Sequence, residues 1–477
     1  MKREARLGNG RSDGLPPSAT LPIESPAKQF DVTGGPSNWI HLDFKGMIPS
    51  EPKLLVWLKW IREHGFSGVV MEYEDRLPWE TFPGAYRPGF DSPAWERVWA
   101  ACGNLGLEII PLIQTYGHLE WLLKHKSWSS LRCGGHLNLL CPENAQARSL
   151  LVDWIEEVAR LHPTSTFIHV GLDEVHHMGA CPACQKRAGQ SQEGAAEVLL
   201  NHAKFVCAEV RKAGKHPMAW ADMFGAHSHT MDLPGDVLLC EWNYRGVAGA
   251  DLKRIPWNAE REIMAASAIR CSFPTYQLMG DLESRVENVR SWHRTVQAEA
   301  GAIKILLHTV WGRYRSLGPI YGPWEAWLPA FQVAGQPDQP LSPPIQKGMT
   351  LLKEGFSTTS YDQIESVRHQ LRELHSEDSL EEAALRWWEF SLRHHAELGV
   401  VQYYTMGRET MRSAFAYLGE DENLLFDVED NVEKLLGRID VLEKEVSRQL
   451  AEWEWSDREE YLDSRFGAVR RVLQAKI

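Results

Sequence analysis

Several features that would assign this chain to a common class of protein are missing from its sequence. No run approaches the ~20 apolar residues of a membrane-spanning helix, and residues 1–29 lack the apolar segment of a secretory signal. Basic residues are not in excess, since 51 Lys and Arg face 64 Asp and Glu for a net charge of −13. We therefore expect a cytoplasmic protein that binds a neutral or small ligand, with neither a membrane nor a nucleic acid as partner.

Cysteines are also few, eight in 477 residues, and their spacing fits no small disulfide scaffold. In a cytoplasmic chain they are most simply interpreted as free thiols. The motif Cys181-Pro-Ala-Cys184 supplies only half of a structural zinc site, so Cys133, Cys141 or a neighbouring histidine would have to complete it. Free thiols, zinc and a redox pair are the three alternatives; free thiols are favoured, and no metal or cofactor is expected.

A regular alternation of short apolar runs with helical patterns follows a polar N-terminal tail. Residues 1–38 are predicted to be disordered, and residues 39–342 hold about eight strand-helix units, which is typical of a parallel sheet closed into a barrel. No glycine-rich phosphate loop follows the first run, which disfavours a doubly wound open sheet. The predicted fold is therefore α/β, a (β/α)8 TIM barrel. The predicted strands are Trp39–Phe44, Gly68–Tyr73, Leu107–Gln114, Phe167–Gly171, His216–Trp220, Val237–Asn243, Ile269–Thr275 and Ile303–Trp311.

The character of the chain changes at residue 343, after which no strand-like run recurs. Residues 343–477 are predicted to form an all-helical C-terminal domain, with helical patterns over Tyr361–His375, Ser379–Leu418 and Asn423–Lys476. An apolar stripe in the last pattern fits either the coiled-coil seam of a homodimer or an intramolecular helix pair, and the pair is favoured because the heptads are few. The stripe comprises Val432, Leu435, Ile439, Leu442 and Val446.

Polar and aromatic residues collect where nearly every predicted strand ends, which is the face on which a TIM barrel carries its active site. They are Asp43, Lys45, Glu72, Glu74, Asp75, Gln114, His118, Asp173, Glu174, Trp220, Asp222, Trp242, Tyr244, Trp311 and Arg313. Aromatic side chains suit the faces of a pyranose ring, and carboxylates and cations suit its hydroxyls. The sequence, with 20 Trp in all, therefore predicts a carbohydrate site.

The centre of that site is the adjacent pair Asp173 and Glu174. Taken alone, such a pair more often caps and begins a helix, but its place at the end of the fourth strand favours catalysis. Neighbouring side chains on a strand diverge, so we do not expect two carboxylates facing each other across a glycosidic bond. Glu174 would instead protonate the leaving oxygen while Asp173 holds a substrate acetamide whose own oxygen attacks the anomeric carbon. The rival hypotheses are a metal-dependent sugar isomerase and a barrel that binds aminosugars without catalysis.

The stretch His169-Val-Gly-Leu-Asp-Glu-Val175 is similar to the His-x-Gly-x-Asp-Glu signature of family 20 glycoside hydrolases, the β-N-acetylhexosaminidases. Four further stretches resemble the hexosaminidase D branch of that family, namely His41–Gly46, Glu72–Asp75, Ile110–His118 and Trp220–Asp222. The resemblance covers roughly residues 39–330 and implies a retaining exo-β-N-acetylhexosaminidase that needs no cofactor. Its substrate would be a glycan or glycoconjugate ending in β-linked N-acetylgalactosamine or N-acetylglucosamine, and its intermediate an oxazolinium.

The same resemblance implies roles for individual residues. Asp173 would orient the acetamide, Glu174 would act as general acid and base, and Tyr244 would donate a hydrogen bond to the acetamide oxygen. The remaining substrate-binding residues would be Trp220, Trp242 and Trp311 as aromatic walls, with His118, Asp222 and Glu325 as polar contacts.

Two departures from the family pattern concern the first and third strands. Gln114 replaces the acid that usually precedes the Gly-His motif. The family's first-strand arginine has no counterpart, and Asp43 or Lys45 is expected to substitute for it.

Overall fold

The computed structural model describes residues 36–189, 191–225, 233–245, 263–271, 277–298, 303–314, 317–418 and 426–474. Its strands are β1 (Ser37–Asp43), β2 (Gly68–Glu72), β3 (Glu108–Leu112), β4 (Phe167–His169), β5 (His216–Trp220), β6 (Leu238–Trp242), β7 (Ile263–Arg270) and β8 (Ile303–Val310). Each strand pairs in parallel with the next, and β8 pairs in parallel with β1. The chain therefore forms the closed eight-stranded barrel that the alternation predicts.

Helices follow the strands around the outside of this barrel. They are α1 (Glu51–Glu63), α2 (Ser92–Leu105), α3 (Glu120–Leu123), α4 (Ala145–Leu161), α5 (Pro182–Ala188), α6 (Gln192–Lys212), α7 (Asp222–Gly225), α8 (Leu282–Ala298) and α9 (Leu328–Gly335). Short 3₁₀ turns lie at Glu74–Arg76, Lys126–Leu131 and Trp324–Trp327. The side chains of Ser50, Asp91 and Asn144 begin α1, α2 and α4 by accepting a hydrogen bond from the backbone N–H three residues later.

The seventh strand lies earlier than the sequence predicts. β7 occupies Ile263–Arg270 rather than Ile269–Thr275, and residues 272–276 lie outside the described ranges. Its sequence IMAASAIR is buried along its whole length, as a parallel strand covered on both faces is. Alanine has a low intrinsic preference for strands, so propensity favours the later run although burial selects the earlier one.

The barrel interior is filled by apolar side chains from all eight strands. This inner group comprises Trp39, Val70, Ile110, Leu112, Phe167, Met218, Trp220, Leu238, Cys240, Met264, Ala266, Ile305 and Leu307. Trp242 and Trp311 are only partly buried and pack against it at the carboxyl ends of their strands. The interior thus ends in an aromatic floor, and this floor supports the site described below.

The C-terminal region is helical, as predicted, and consists of α10 (Pro343–Phe356), α11 (Tyr361–Arg372), α12 (Ser379–Leu418), α13 (Phe426–Glu452), α14 (Arg458–Leu462), a π turn (Asp463–Gly467) and α15 (Ala468–Gln474). The apolar stripe of α13 is buried within the chain, and α13 packs on α12. It therefore belongs to an intramolecular helix pair. No helix in the described parts of the chain is long and apolar enough to cross a bilayer.

The helical pattern predicted over Asn423–Lys476 is not a single helix, because α13 ends at Glu452. Glu454 and Asp457 both have positive φ angles, +58° and +54°, which interrupt a right-handed helix. Between them Trp455 is 2% exposed, its ring lies 5.5 Å from that of Trp324, and its backbone forms a bridge with Pro49. Burial of this tryptophan against the barrel thus accompanies the break in the helix.

Ion pairs also join the C-terminal region to the barrel. Arg76 is fully buried and pairs with Asp457 at 2.6 Å, and Arg313 pairs with Glu460 at 2.6 Å. The indole N–H of Trp388 donates to the carbonyl oxygen of Ala326 at 2.9 Å. The helical region is therefore packed on the barrel near the strand-to-helix loops that follow β2 and β8.

Candidate active site

The acid pair lies in a strained turn directly after β4. Gly171, Leu172 and Glu174 have φ angles of +71°, +77° and +44°, a region in which a non-glycine residue costs on the order of 1–3 kcal/mol. A Cβ at Gly171 would lie 2.0 Å from Oε1 of Gln114, so only glycine fits there. Asp173 and Glu174 are thus not successive residues of a flat strand, and the expected divergence of their side chains is wrong.

Both carboxylates converge on one imidazole. Nε2 of His118 lies 3.3 Å from Oδ2 of Asp173 and 3.6 Å from Oε2 of Glu174. The side chain of Asp173 is 12% exposed and that of Glu174 is 41% exposed. Asp173 is therefore enclosed, whereas Glu174 can reach a group that enters from solvent.

The ionic states of Asp173 and His118 depend on each other. Burial by itself raises the pKa of Asp173, but the positive charge of His118 outweighs it and the pKa is lowered. Burial by itself lowers the pKa of His118, but Asp173 outweighs it and raises that pKa to about 9. At neutral pH the pair is therefore a carboxylate beside an imidazolium.

Oδ1 of Asp173, an acceptor, and Nε1 of Trp220, a donor, are among the buried polar atoms without a hydrogen-bond partner within the described part of the chain. Leaving such an atom unpaired costs about 1–3 kcal/mol. A ligand that carries an N–H group would relieve that cost at Asp173.

Asp222 supports the acid pair from the fifth strand. Its Oδ2 accepts the backbone N–H of Glu174 at 3.0 Å, and its Oδ1 accepts the indole N–H of Trp242 at 3.2 Å. Burial and then the negative charge of Asp173 raise the pKa of Asp222 to about 7. Asp222 therefore holds both the turn that carries Glu174 and one aromatic side chain of the site.

The predicted aromatic walls are brought together. The ring of Trp311 lies 6.0 Å from that of Trp220 and 6.4 Å from that of Tyr244, and Tyr244 stacks on Trp242 at 4.9 Å. Burial raises the pKa of Tyr244 well above its ordinary value, so its hydroxyl keeps its proton. Tyr244 is thus available as a hydrogen-bond donor at neutral pH.

Asp43 and Lys45 are buried and bonded to other groups of the chain. The two oxygens of Asp43 accept the backbone N–H groups of Lys45 at 2.9 Å and Gly312 at 2.6 Å. Nζ of Lys45 lies 2.8 Å from Oε1 of Glu72 and 3.5 Å from Oε1 of Glu74. Its side chain is only 6% exposed, and Nζ lies 5.3 Å from the centre of the Trp311 ring. This network therefore supports Trp311 from below.

Glu325 is placed among residues outside this group. Its carboxylate pairs with Lys53 at the start of α1 and accepts the indole N–H of Trp455 at 3.2 Å. The side chain is 1% exposed. The structure thus puts Glu325 at the junction of the barrel with the helical region and does not bring it to Asp173.

Two histidines of the site were not singled out from the sequence. The ring of His169 packs on Trp220 at 4.7 Å, and the ring of His41 packs edge-on against Trp311 at 4.7 Å while its Nε2 lies 3.0 Å from Oε2 of Glu72. Burial lowers the pKa of His169 to about 3, which keeps it neutral. A signal existed for His41, because it precedes Asp43 by two residues on β1 and so shares its face.

The model of the glycosyl hydrolase family 20 catalytic domain matches residues 88–303 of this chain. Hexosaminidase D of Homo sapiens is 28% identical over an alignment of 296 residues that covers 58% of this chain and 60% of that protein. Hexosaminidase D of Bos taurus is 30% identical over an alignment of 304 residues that covers 58% of this chain and 84% of that protein. The solved β-N-acetylhexosaminidase of Bacteroides fragilis shares the fold, with a TM-score of 0.51, 17% identity, and coverage of 65% of this chain and 68% of that one.

Proposed function

The chain belongs to glycosyl hydrolase family 20, and we propose that it is a retaining exo-β-N-acetylhexosaminidase that uses substrate-assisted catalysis. Its substrates are glycans or glycoconjugates with a terminal β-linked N-acetylgalactosamine or N-acetylglucosamine. The observation that carries the proposal is Oδ1 of Asp173, a buried acceptor of an ionised carboxylate without a partner within the described part of the chain. An acetamide N–H is the donor that this atom needs.

In the first step Asp173 accepts the acetamide N–H and holds the acetamide under the sugar ring. The acetamide carbonyl oxygen attacks the anomeric carbon, and Glu174 gives its proton to the leaving oxygen as the glycosidic bond breaks. The product of this step is an oxazolinium ion, whose positive charge the Asp173 carboxylate stabilises. The greater exposure of Glu174 supports its role as the group that meets the leaving oxygen.

In the second step Glu174, now a carboxylate, removes a proton from water as the water attacks the anomeric carbon. Two displacements at the same carbon retain the β configuration. The Tyr244 hydroxyl donates a hydrogen bond to the acetamide oxygen, and Trp220, Trp242 and Trp311 enclose the methyl group and the ring. The rings of these residues lie close enough to form one wall.

The test compares aryl β-glycosides of N-acetylglucosamine, N-acetylgalactosamine and the matching sugars without the acetamide. We expect turnover only with the acetamido sugars, because the nucleophile belongs to the substrate. Asp173→Asn should lower kcat/KM by ~10²–10³-fold. Glu174→Gln should lower it by ~10²–10⁴-fold for a leaving group that needs protonation and by much less for one that does not. The controls Asp153→Asn and Glu156→Gln alter exposed side chains on α4 and should leave the rate unchanged.

Three results would contradict the proposal, each for a different reason. Equal turnover of sugars lacking the acetamide would mean that Asp173 itself attacks the anomeric carbon. Near-normal activity of Asp173→Asn would remove its orienting role. Binding of aminosugars without turnover of any aryl glycoside would favour a binding protein.

We place the enzyme in the cytoplasm, a proposal supported by the eight cysteines, none of which forms a disulfide.

A further inference from the structure

Four cysteines from two different segments of the chain lie together beside the catalytic turn. The side chains of Cys133, Cys141, Cys181 and Cys184 have their Sγ atoms within 4.8 Å of one another, and all four are buried. Cys133 and Cys141 come from the segment between β3 and α4, whereas Cys181 precedes α5 and Cys184 lies in its first turn. The single CxxC motif is therefore completed in space by two cysteines about 40 to 50 residues earlier.

From this geometry we propose that the four thiolates bind one structural zinc ion. A tetrahedral Zn–S4 site with bonds of ~2.3 Å places its sulfur atoms about 3.8 Å apart. The Sγ separations are 3.4 Å for Cys141–Cys181, 3.8 Å for Cys133–Cys184 and 3.9 Å for Cys141–Cys184. On binding, the four thiols release four protons to solvent and the site carries a charge of −2, which the buried N–H of Cys184 helps to balance by donating to Cys181 Sγ at 3.4 Å.

The backbone presents these sulfurs in two pairs. Cys133 and Cys141 lie on opposite arms of a short hairpin, in which the Cys133 N–H donates to Leu139 O and the Cys141 N–H donates to Leu131 O, each at 2.8 Å. Cys181 and Cys184 lie at the turn that begins α5. The two segments touch closely, because a Cβ at Gly134 would lie 2.7 Å from that of Ala180. A hairpin pair and a helix-entry pair thus supply four ligands and leave no open position for a substrate, which makes the ion structural rather than catalytic.

The position of the cluster indicates what the zinc stabilises. The hairpin is bonded to both sides of His118, since the Leu140 N–H donates to Tyr116 O at 3.0 Å and the Leu119 N–H donates to Asn138 O at 3.2 Å. Cys181 follows Glu174 by seven residues. The ion therefore joins the loop that carries His118 to the loop that carries Asp173 and Glu174. This part of the inference rests on the proposed function, whereas binding of zinc does not.

The test measures metal in the full chain, expressed with zinc in the medium and purified with a reductant and without a chelator. We expect one zinc per chain by elemental analysis, and reconstitution of the metal-free chain with cobalt(II) should give the visible spectrum of a tetrahedral tetrathiolate. Cys141→Ser and Cys181→Ser should lose the zinc. The control Cys102→Ser replaces a buried cysteine outside the cluster, on α2, and should keep it.

A second measurement on the unaltered chain covers the case in which the serine variants do not fold. Titration with an organic mercurial in the presence of a zinc-sensitive dye should release one zinc as four thiols react. A chain that takes up no zinc under reducing conditions and gives no tetrathiolate cobalt spectrum would overturn the proposal. So would alkylation of only four of the eight cysteines in the denatured, unreduced chain, because that count means two disulfides.

The effect of zinc on catalysis is measured separately from the zinc content. Zinc-depleted chain should melt at a lower temperature and lose kcat/KM with the acidic limb of its pH profile moved upward, as the contact between His118 and Asp173 loosens. Zinc binding with no hydrolysis of any aryl glycoside would leave the metal site standing and contradict the proposed function alone. A chain that hydrolyses the substrate normally and binds no zinc would contradict the metal site and leave the proposed function standing.

Discussion

His118 is the residue whose protonation couples the acid pair to pH. An opposite charge at this range lowers the pKa of a carboxyl group by ~1–3 units, so His118→Gln should raise the pKa of Asp173 by a similar amount. We expect the acidic limb of the kcat/KM profile to move to higher pH by ~1–3 units, because in the proposed mechanism Asp173 must be ionised to hold the acetamide. The exposed His369→Gln, on α11, is the control and should leave the profile unmoved.

The sign of the stability effect follows from the direction of each shift. The pKa of His118 is raised to about 9. Its contribution to the free energy of unfolding is therefore complete at a pH below the ordinary pKa of a histidine and is lost as the pH rises through about 9. The pKa of Asp173 is lowered by folding. Its contribution to the free energy of unfolding is therefore present at a pH above the ordinary pKa of an aspartate and is lost as the pH falls through the lowered pKa. The melting temperature of the wild type should therefore fall more than that of His118→Gln between pH 8 and pH 10, and an equal fall would rule out the ion pair.

At the residue scale the sequence predicted which side chains meet but not how they face. Asp173, Glu174, Trp220, Trp242 and Tyr244 all lie at or just after the ends of predicted strands, and the barrel rule places strand ends on one face. The convergence of the two acids depends on positive φ angles at Leu172 and Glu174, which no side-chain pattern records. The pairing of Glu325 with Lys53 and Trp455 was likewise not predictable, because it joins segments far apart in the sequence.

At the element scale, the break after α13 stabilises the molecule through one side chain. Trp455→Ala removes an indole that is 2% exposed and packs on Trp324, which should cost ~3–5 kcal/mol in the free energy of unfolding. KM should change little at temperatures where the variant is folded, since Trp455 does not contact the acid pair. Chemical denaturation checks the first expectation and steady-state kinetics the second.

The matched control for that change is Val472→Ala on α15. Val472 is 49% exposed, so its truncation should alter the free energy of unfolding by no more than ~0.5 kcal/mol. Equal losses in the two variants would mean that the segment around Trp455 is not anchored to the barrel.

Periodicity also explains which elements the sequence located correctly. Runs such as GVVME in β2 are apolar and β-branched, so both pattern and propensity indicate a strand. The position of β7 was mispredicted because its residues are small and have a low strand propensity. The break in the C-terminal helical pattern was not predicted because apolar spacing continues on both sides of Trp455. In each case a tertiary contact, rather than the local sequence, sets where the element lies or ends.

At the scale of the whole molecule, the predicted boundary at residue 342 separates two regions that share buried charges. A chain ending at residue 342 would leave Arg76 and Arg313 without Asp457 and Glu460, and an uncompensated buried charge costs ~3–5 kcal/mol. We expect residues 1–342 to show no cooperative thermal transition by near-ultraviolet circular dichroism, whereas the full chain does. A truncated chain that melts like the full one would show that the barrel is an independent folding unit.

The seam between β1 and β8 links barrel closure to the order in which the chain is made. Gly312 comes so close to the first strand that a Cβ there would lie 2.1 Å from Lys45 O, and its N–H reaches Asp43 across 269 positions of sequence. Contacts of such sequence separation form late in folding, after the loop-closure entropy has been overcome. On the ribosome, Asp43 is therefore synthesised long before its partner Gly312. A nascent chain that holds only seven strands cannot yet form the contacts that support Trp311. Under the proposed function, the first turnover of each molecule would therefore show that its last strand has docked.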